Sequence, residues 1–213
     1  MKLGILHANI DLKNIVFTKS GHLALSNLGV SRKFNNAGSL KVKVKKSDIN
    51  ENNLYYLPAE ILLMKPSATS IILDSSIDFY ALGIGLYYLR RGLPTGDLSQ
   101  ILGYLFNIED ELNMRLRAPK EDQRNFADLI LGLTKNEYEE RLGNKENGDI
   151  SDLKNHPFFH GIDWNLIAER KNSMPPGINE LLPENSAKDS ISSSRIRTLE
   201  STIGKLTTNN HSH

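Results

Sequence analysis

Residues 79–89 read FYALGIGLYYL, an unbroken apolar run closed by Arg90 and Arg91, and no other feature constrains the chain as strongly. A helix needs about 20 apolar residues to span a bilayer, so this run is too short to cross one. It leaves no polar face for water, so it belongs in the middle of a helical core. Ser76 and Asp78, just ahead of it, supply helix-start chemistry. The rest of the composition fits one compact domain: 39% of the 213 residues are apolar, and 26 basic side chains nearly balance 25 acidic ones. A formal charge of +1 creates no global field for a polyanion, so no nucleic-acid partner is expected. Cysteine is absent. That removes disulfides, thiolate metal sites and a cysteine nucleophile, and it agrees with a cytoplasmic location. The opening MKLGILHANI has one lysine and no small-residue cleavage site, so no signal peptide is expected.

Around the apolar run the patterning is mostly helical. Ser99 to Asn107 predicts one helix, and Asn125 to Leu133 predicts another, with Phe126, Leu129, Ile130 and Leu133 on a three-and-four spacing. Asp149 to Lys154 predicts a short helix stopped by His156-Pro157. At the N-terminal edge, Asn14 to Phe17 and His22 to Leu25 flank Thr18-Lys19-Ser20-Gly21, which is hairpin spacing with a glycine for the turn. Val30 to Leu54 is polar and rich in Asn and Lys, and reads as a long loop. Within it Lys41, Lys43, Lys45 and Lys46 alternate with Val42 and Val44; a solvated loop is the simpler reading, an acidic membrane or peptide contact the sharper one. From Glu184 to His213 no aromatic residue occurs and Ser, Thr, Asn and Lys dominate, so a mostly disordered tail is expected. Inside it Ile196 to Leu206 has amphipathic helical spacing, and Ser190, Ser192, Ser193 and Ser194 beside Arg195 and Arg197 are candidate phosphate acceptors.

Several short motifs follow one another in a fixed order. His7 and Asn14 are followed by the strand Ile15-Val16-Phe17, and then by Gly21-His22, Asn27-Leu28-Gly29, Pro58-Ala59-Glu60, Asp78-Phe79-Tyr80-Ala81-Leu82-Gly83 and Arg141-Leu142-Gly143. Together they resemble the C-terminal lobe of a eukaryotic protein kinase. The matching family motifs are the His-Arg-Asp-Leu-Lys-Pro-x-Asn catalytic loop, the Asp-Phe-Gly metal motif, the Ala-Pro-Glu motif, the start of the central helix, and the arginine that pairs with the Ala-Pro-Glu glutamate. His156-Pro157-Phe158-Phe159, Ile162-Asp163-Trp164 and Pro175-Pro176 resemble the lobe-to-tail junction of the AGC group of Ser/Thr kinases, and Leu28 resembles the receptor kinases within it. The resemblance implies a mainly α, kinase-like C-lobe with a small β-hairpin over residues 1–176, and a mostly disordered AGC-like tail remnant over 177–213.

The same resemblance assigns roles, and the departures from it matter chemically. Phosphoryl transfer depends on positioning and on Mg²⁺ held by carboxylates. In the ungapped register Asn27 replaces the metal-binding aspartate, leaving Asn14 and Asn27, with Gly29 closing the motif, as doubtful Mg²⁺ positions. Asn9 replaces the catalytic base, and an amide cannot accept the substrate proton. Asp11 falls on the phosphate-contacting lysine and reverses its charge. A second register puts Asp11-Leu12-Lys13 on the family's Asp-Leu-Lys, making Asp11 the base and Lys13 the cation, but it needs two opposed length changes in one loop and leaves Asn27 unchanged. His7 is expected to be structural, beneath the metal motif near Leu28. Glu60 and Arg141 are expected as a buried pair, and Asp78 as the acceptor for catalytic-loop N–H groups, with a plain helix cap as its simpler role. No glycine-rich loop or strand lysine precedes the catalytic loop, so a truncated chain that requires an N-lobe or another protein partner is expected. The expected activity is that of a binding module, without ATP or Mg²⁺ for the isolated chain. The rival expectation is an active Ser/Thr protein kinase fragment that uses both.

Overall fold

The computed structural model describes residues 4–18, 20–33, 42–45, 55–62, 65, 67, 69–92, 98–144 and 149–172. In chain order its elements are β1 (Ile5–Leu6), β2 (Ile15–Phe17), β3 (Leu23–Leu25), β4 (Arg32–Lys33), β5 (Val42–Lys45), α1 (Ala59–Leu62), β6 (Ser70–Leu73), α2 (Ser76–Arg91), α3 (Leu98–Arg115), α4 (Glu121–Leu133), α5 (Ser151–Lys154) and α6 (Trp164–Ala168). The strands form three antiparallel pairs, β1–β4, β2–β3 and β5–β6, around a mainly helical body. Residues 173–213, with their candidate phosphate acceptors and the proposed tail boundary, lie outside the described residues.

The apolar run forms most of α2 and is buried as expected. Ile84, Tyr87 and Tyr88 are almost wholly inaccessible, packed with Ile108 and Leu112 of α3 and with Phe126, Ala127 and Ile130 of α4. The Asp74 carboxylate accepts from the Ser76 N–H at the start of α2, and Gly92, at φ 88°, closes its end by donating to the Tyr88 carbonyl. Leu89 turns to solvent, so burial ends just before the two arginines.

Gly83 marks the closest approach of α2 to α4. A Cβ there would lie 2.8 Å from Leu133 Cβ and 2.8 Å from Thr134 Cγ2, both held close to their backbones. Gly83→Ala should therefore lower stability by about 1–3 kcal/mol through overpacking, despite alanine's better helix propensity. At Gly85 the nearest atoms lie at 3.7 Å, ordinary contact, and Gly85→Ala should be neutral or gain up to about 1 kcal/mol. Thermal denaturation of the two variants separates the effects; equal melting shifts would contradict them.

Three expectations are corrected. The helix read over Ser99 to Asn107 is α3, which continues to Arg115 because Ile108 and Leu112 extend the buried spacing through Glu109, Asp110 and Glu111. Glu111 is held by the Tyr87 hydroxyl at 2.6 Å and by Arg91 and Arg115 Nε at 3.0 Å each, which keeps its carboxyl below the usual range against the opposing effect of burial. Second, α4 starts at Glu121, four residues before Asn125, with Glu121 and Asp122 complementing the helix dipole. Third, the polar stretch from Val30 to Leu54 contains β4 and β5, whose partners are remote: Ile5 faces Lys33, and Lys43 faces Ile72. Long-range pairing supplies what local propensity lacks. Lys43 and Lys45 are exposed on β5, while Lys41 and Lys46 lie outside the described residues.

The hairpin follows its sequence signal. β2 and β3 pair with Ile15 opposite Leu25, Val16 opposite Ala24 and Phe17 opposite Leu23. Gly21 sits at φ 76° in the turn, where its N–H donates to the Thr18 carbonyl. Past α5, Trp164 packs edge-on against Phe159, and its indole N–H donates to the Lys154 carbonyl.

Candidate functional site

Residues 7–14 connect β1 to β2 and are anchored from below by the first turn of α2. The N–H groups of His7 and Ala8 donate to Asp78 Oδ2 and Oδ1 at 2.7 and 2.8 Å. Asp78 thus lies inside the helix and receives the loop instead of capping α2. Burial pushes its carboxyl up to about 6, although the two N–H donors act in the other direction. Ala8 is held at φ 59°, a left-handed conformation that strains a non-glycine residue. The two bonds to Asp78 fix the loop at this strained position.

Above that anchor, the Asn14 side chain bridges two segments. Asn14 Nδ2 donates to the Asn9 carbonyl at 2.8 Å, and both residues are buried. Asn27 Nδ2 points to Asn14 Oδ1 at 3.4 Å, and Asn27 itself is left-handed, at φ 64° and ψ 56°. Gly29 follows in the short helical turn, where an added Cβ would lie 3.9 Å from Asn27 Oδ1. His7 joins the two segments: its Nε2–H donates to the Ser26 carbonyl at 3.1 Å, two residues before Leu28, and the Ser31 hydroxyl donates to its carbonyl at 2.9 Å. Burial lowers the His7 pKa, which favours a neutral ring, and its Nδ1 has no partner among the described atoms.

Asp11 and Lys13 are turned toward each other. The Asp11 carboxylate is buried, accepts from the Lys13 backbone N–H at 3.1 Å and pairs with Lys13 Nζ at 2.9 Å. Tyr56 closes this turn by accepting from the Leu12 N–H at 3.4 Å. Burial first, and the Asp11 charge next to it, push the Tyr56 hydroxyl up to about 12. Sequence reasoning missed Tyr56; the available signal was the Tyr55-Tyr56 pair just ahead of Leu57-Pro58.

Away from the loop, Glu60 and Arg141 form a two-pronged pair, with NH1 to Oε1 at 2.7 Å and NH2 to Oε2 at 3.0 Å. Arg141 Nε donates to the Lys135 carbonyl at 2.7 Å, and the guanidinium lies 4.9 Å from the Tyr80 ring centroid. All three guanidinium nitrogens thus have an acceptor.

Residues 2–159 match the sequence model of the family described as protein kinase domain, and the chain belongs to that family. Its relatives are Ser/Thr kinases that include members of the AGC group. It is 30% identical over 174 residues to a probable serine/threonine-protein kinase of Dictyostelium discoideum, covering 80% of this chain and 28% of that protein. It is 29% identical over 178 residues to cGMP-dependent protein kinase 2 of Rattus norvegicus, covering 82% of this chain and 21% of the relative. With serine/threonine-protein kinase sgk-1 of Caenorhabditis elegans the identity is 26% over 174 residues, covering 80% and 33%. The chain therefore spans a third or less of the length of these relatives.

The family's Mg²⁺ does not fit the groups present. Whichever way the amides of Asn14 and Asn27 are oriented, neither supplies negative charge, and a hard divalent cation favours carboxylates and phosphates. Among the described residues, no three His, Cys, Asp or Glu side chains converge on a metal position. No described helix is long and apolar enough to cross a membrane.

Proposed function

We propose that residues 1–176 are a C-lobe of AGC type with impaired catalysis, most like the receptor kinases on the strength of Leu28, and that it acts as a protein-binding module in the cytoplasm. Residues 177–213 are read as the remnant of an AGC-like tail. The observation that carries the proposal is Asn14, set between the Asn9 backbone carbonyl and the Asn27 amide, because Asn9 and Asn27 take the base and metal positions in the ungapped register. That register is supported by the bonds from His7 and Ala8 N–H to Asp78 and from Asn14 to the Asn9 carbonyl. It is supported also by Asp11, whose carboxylate is engaged by its own turn.

Calorimetric titration of the chain with ATP, with and without Mg²⁺, tests this reading. Binding is expected to be weak and indifferent to Mg²⁺; micromolar, Mg²⁺-dependent affinity would overturn it. The second reading, ATP-dependent phosphoryl transfer to protein Ser/Thr with Asp11 as base, is favoured by the Ser/Thr kinase relatives. It requires the Asp11–Lys13 pair to open. Transfer of labelled phosphate from ATP to a Ser/Thr peptide, abolished by Asp11→Asn, would establish it.

A further inference from the structure

A cavity of about 370 Å³ lies between β6, the start of α2 and the turn at Tyr138–Glu140, away from the 7–14 loop. Its inner wall is apolar, made by the buried Leu73 and Ile77, and Ile72 stands 66% exposed at its mouth. Glu60, Asp74 and Tyr138 complete the lining. The charge facing this space is negative. Glu139 first, by hydrogen bond and by charge, then burial, Asp74 and Glu60 raise the pKa of the Tyr138 hydroxyl. Glu60 shares its charge with Arg141, whose side chain is wholly buried and reaches no ligand in the cavity. Asp74 Oδ1 accepts from the Ser76 N–H at 2.9 Å, a bond that leaves the carboxylate charge in place. Lys43, the strand partner of Ile72, is exposed.

These walls select their occupant by chemistry. An anion would be repelled by Asp74 and Glu139, and a neutral apolar group would strip water from the carboxylates without replacing it. A bare metal ion lacks ligands, since no three His, Cys, Asp or Glu side chains converge among the described residues. A cation on an apolar stem satisfies both kinds of wall. The methylenes of an arginine would lie along Ile72, Leu73 and Ile77, while its guanidinium pairs with Asp74 and stacks on the Tyr138 ring. An ammonium could form the ion pair, but it has no plane to stack and holds its water more tightly. We infer that this cavity receives an arginine side chain from an exposed segment of another protein, with Asp74 as its charge partner. The inference rests on the reading of the lobe as a protein-binding module and not on impaired catalysis, so titrations with ATP and with peptide fail independently.

The test is a titration of the ¹⁵N-labelled full chain with the end-capped tripeptide Ala-Arg-Ala, followed through backbone N–H signals. Counterparts carrying citrulline, which keeps the shape without the charge, or lysine in place of arginine serve as comparisons. Saturable shifts are expected at Leu73, Ile77 and Tyr138, with the citrulline peptide binding at least about tenfold more weakly and the lysine peptide falling between the two. Asp74→Asn keeps an oxygen for the Ser76 N–H, so α2 retains its start. It should weaken the arginine peptide about threefold to fivefold and leave the citrulline peptide unchanged. Tyr138→Leu should erase the preference for arginine over lysine. The inference is overturned if no shift at these positions saturates, if arginine and citrulline peptides bind equally, or if Asp74→Asn has no effect. Shifts at the same positions that grow with protein concentration alone would make a second copy the occupant and overturn it as well.

Discussion

Arg141→Ala is expected to destabilise the protein by about 3–5 kcal/mol, seen as a lower urea midpoint with an unchanged slope. The magnitude follows from the asymmetry of the site. The Arg141 side chain has 0% exposure and Glu60 30%, so truncation leaves a largely desolvated carboxylate without its cation. It also removes donors from the Lys135 and Ser76 carbonyls and opens a void beside the Tyr80 ring. Arg141→Lys should recover only part of the loss, because an ammonium carries charge but cannot reproduce the two-pronged fork. The double variant Glu60→Gln with Arg141→Met should lose less than Arg141→Ala alone, since no unpaired charge remains. A loss below about 1 kcal/mol for Arg141→Ala would mean that water screens Glu60 as it does a surface pair.

That pair also shows which parts of this protein can be read from sequence. Glu60 and Arg141 are 81 positions apart, and no periodicity or propensity links them. Only the order of family motifs predicted the contact. α2 needed no such help, because eleven consecutive apolar positions admit few solutions. β5 lay in the opposite situation. Its Val-Lys alternation is a strand signal, yet among asparagines and lysines it reads as a solvated loop until Ser70–Leu73 arrives to pair with it. α3 was cut short for a related reason: Glu109-Asp110-Glu111 looks like an ending, whereas Glu111 is drawn in by Tyr87, Arg91 and Arg115. At the candidate site, the identities of Asn9, Asp11 and Asn27 were plain, but their environments were not. That Asp11 is occupied by Lys13, with Tyr56 beside it, depends on how residues 55–56 fold back against the loop.

The second large effect is a pH dependence centred on Asp78. Its carboxyl titrates at about 6 in the folded protein, whereas an aspartate in an unfolded chain titrates near 3.9. Folding therefore raises this pKa, and between about pH 4 and pH 6 the native state holds more protons at Asp78 than the unfolded state does. Stability from this group must fall as pH rises through that window, and above it the full penalty of a desolvated charge is present. Two pKa units correspond to about 3 kcal/mol, of which about 2–3 kcal/mol should develop between pH 4 and pH 7. Glu111 has the opposite sign, since its depressed carboxyl contributes stability that is lost as pH falls. The wild-type curve alone would mix the two. The decisive quantity is the stability difference between the wild type and Asp78→Asn, measured by urea unfolding across the same pH range. The substituted amide cannot titrate, and its Nδ2 faces one of the two N–H donors from His7 and Ala8, so the variant starts with a pH-independent loss. Relative to the variant, the wild type should be most stable near pH 4 and lose about 2–3 kcal/mol of that advantage by pH 7. A difference that stays constant across the range would show that the two backbone N–H groups fully offset the desolvation of the carboxylate. The anchor of the 7–14 loop would then carry no stored electrostatic cost, and the left-handed strain at Ala8 would be held without one.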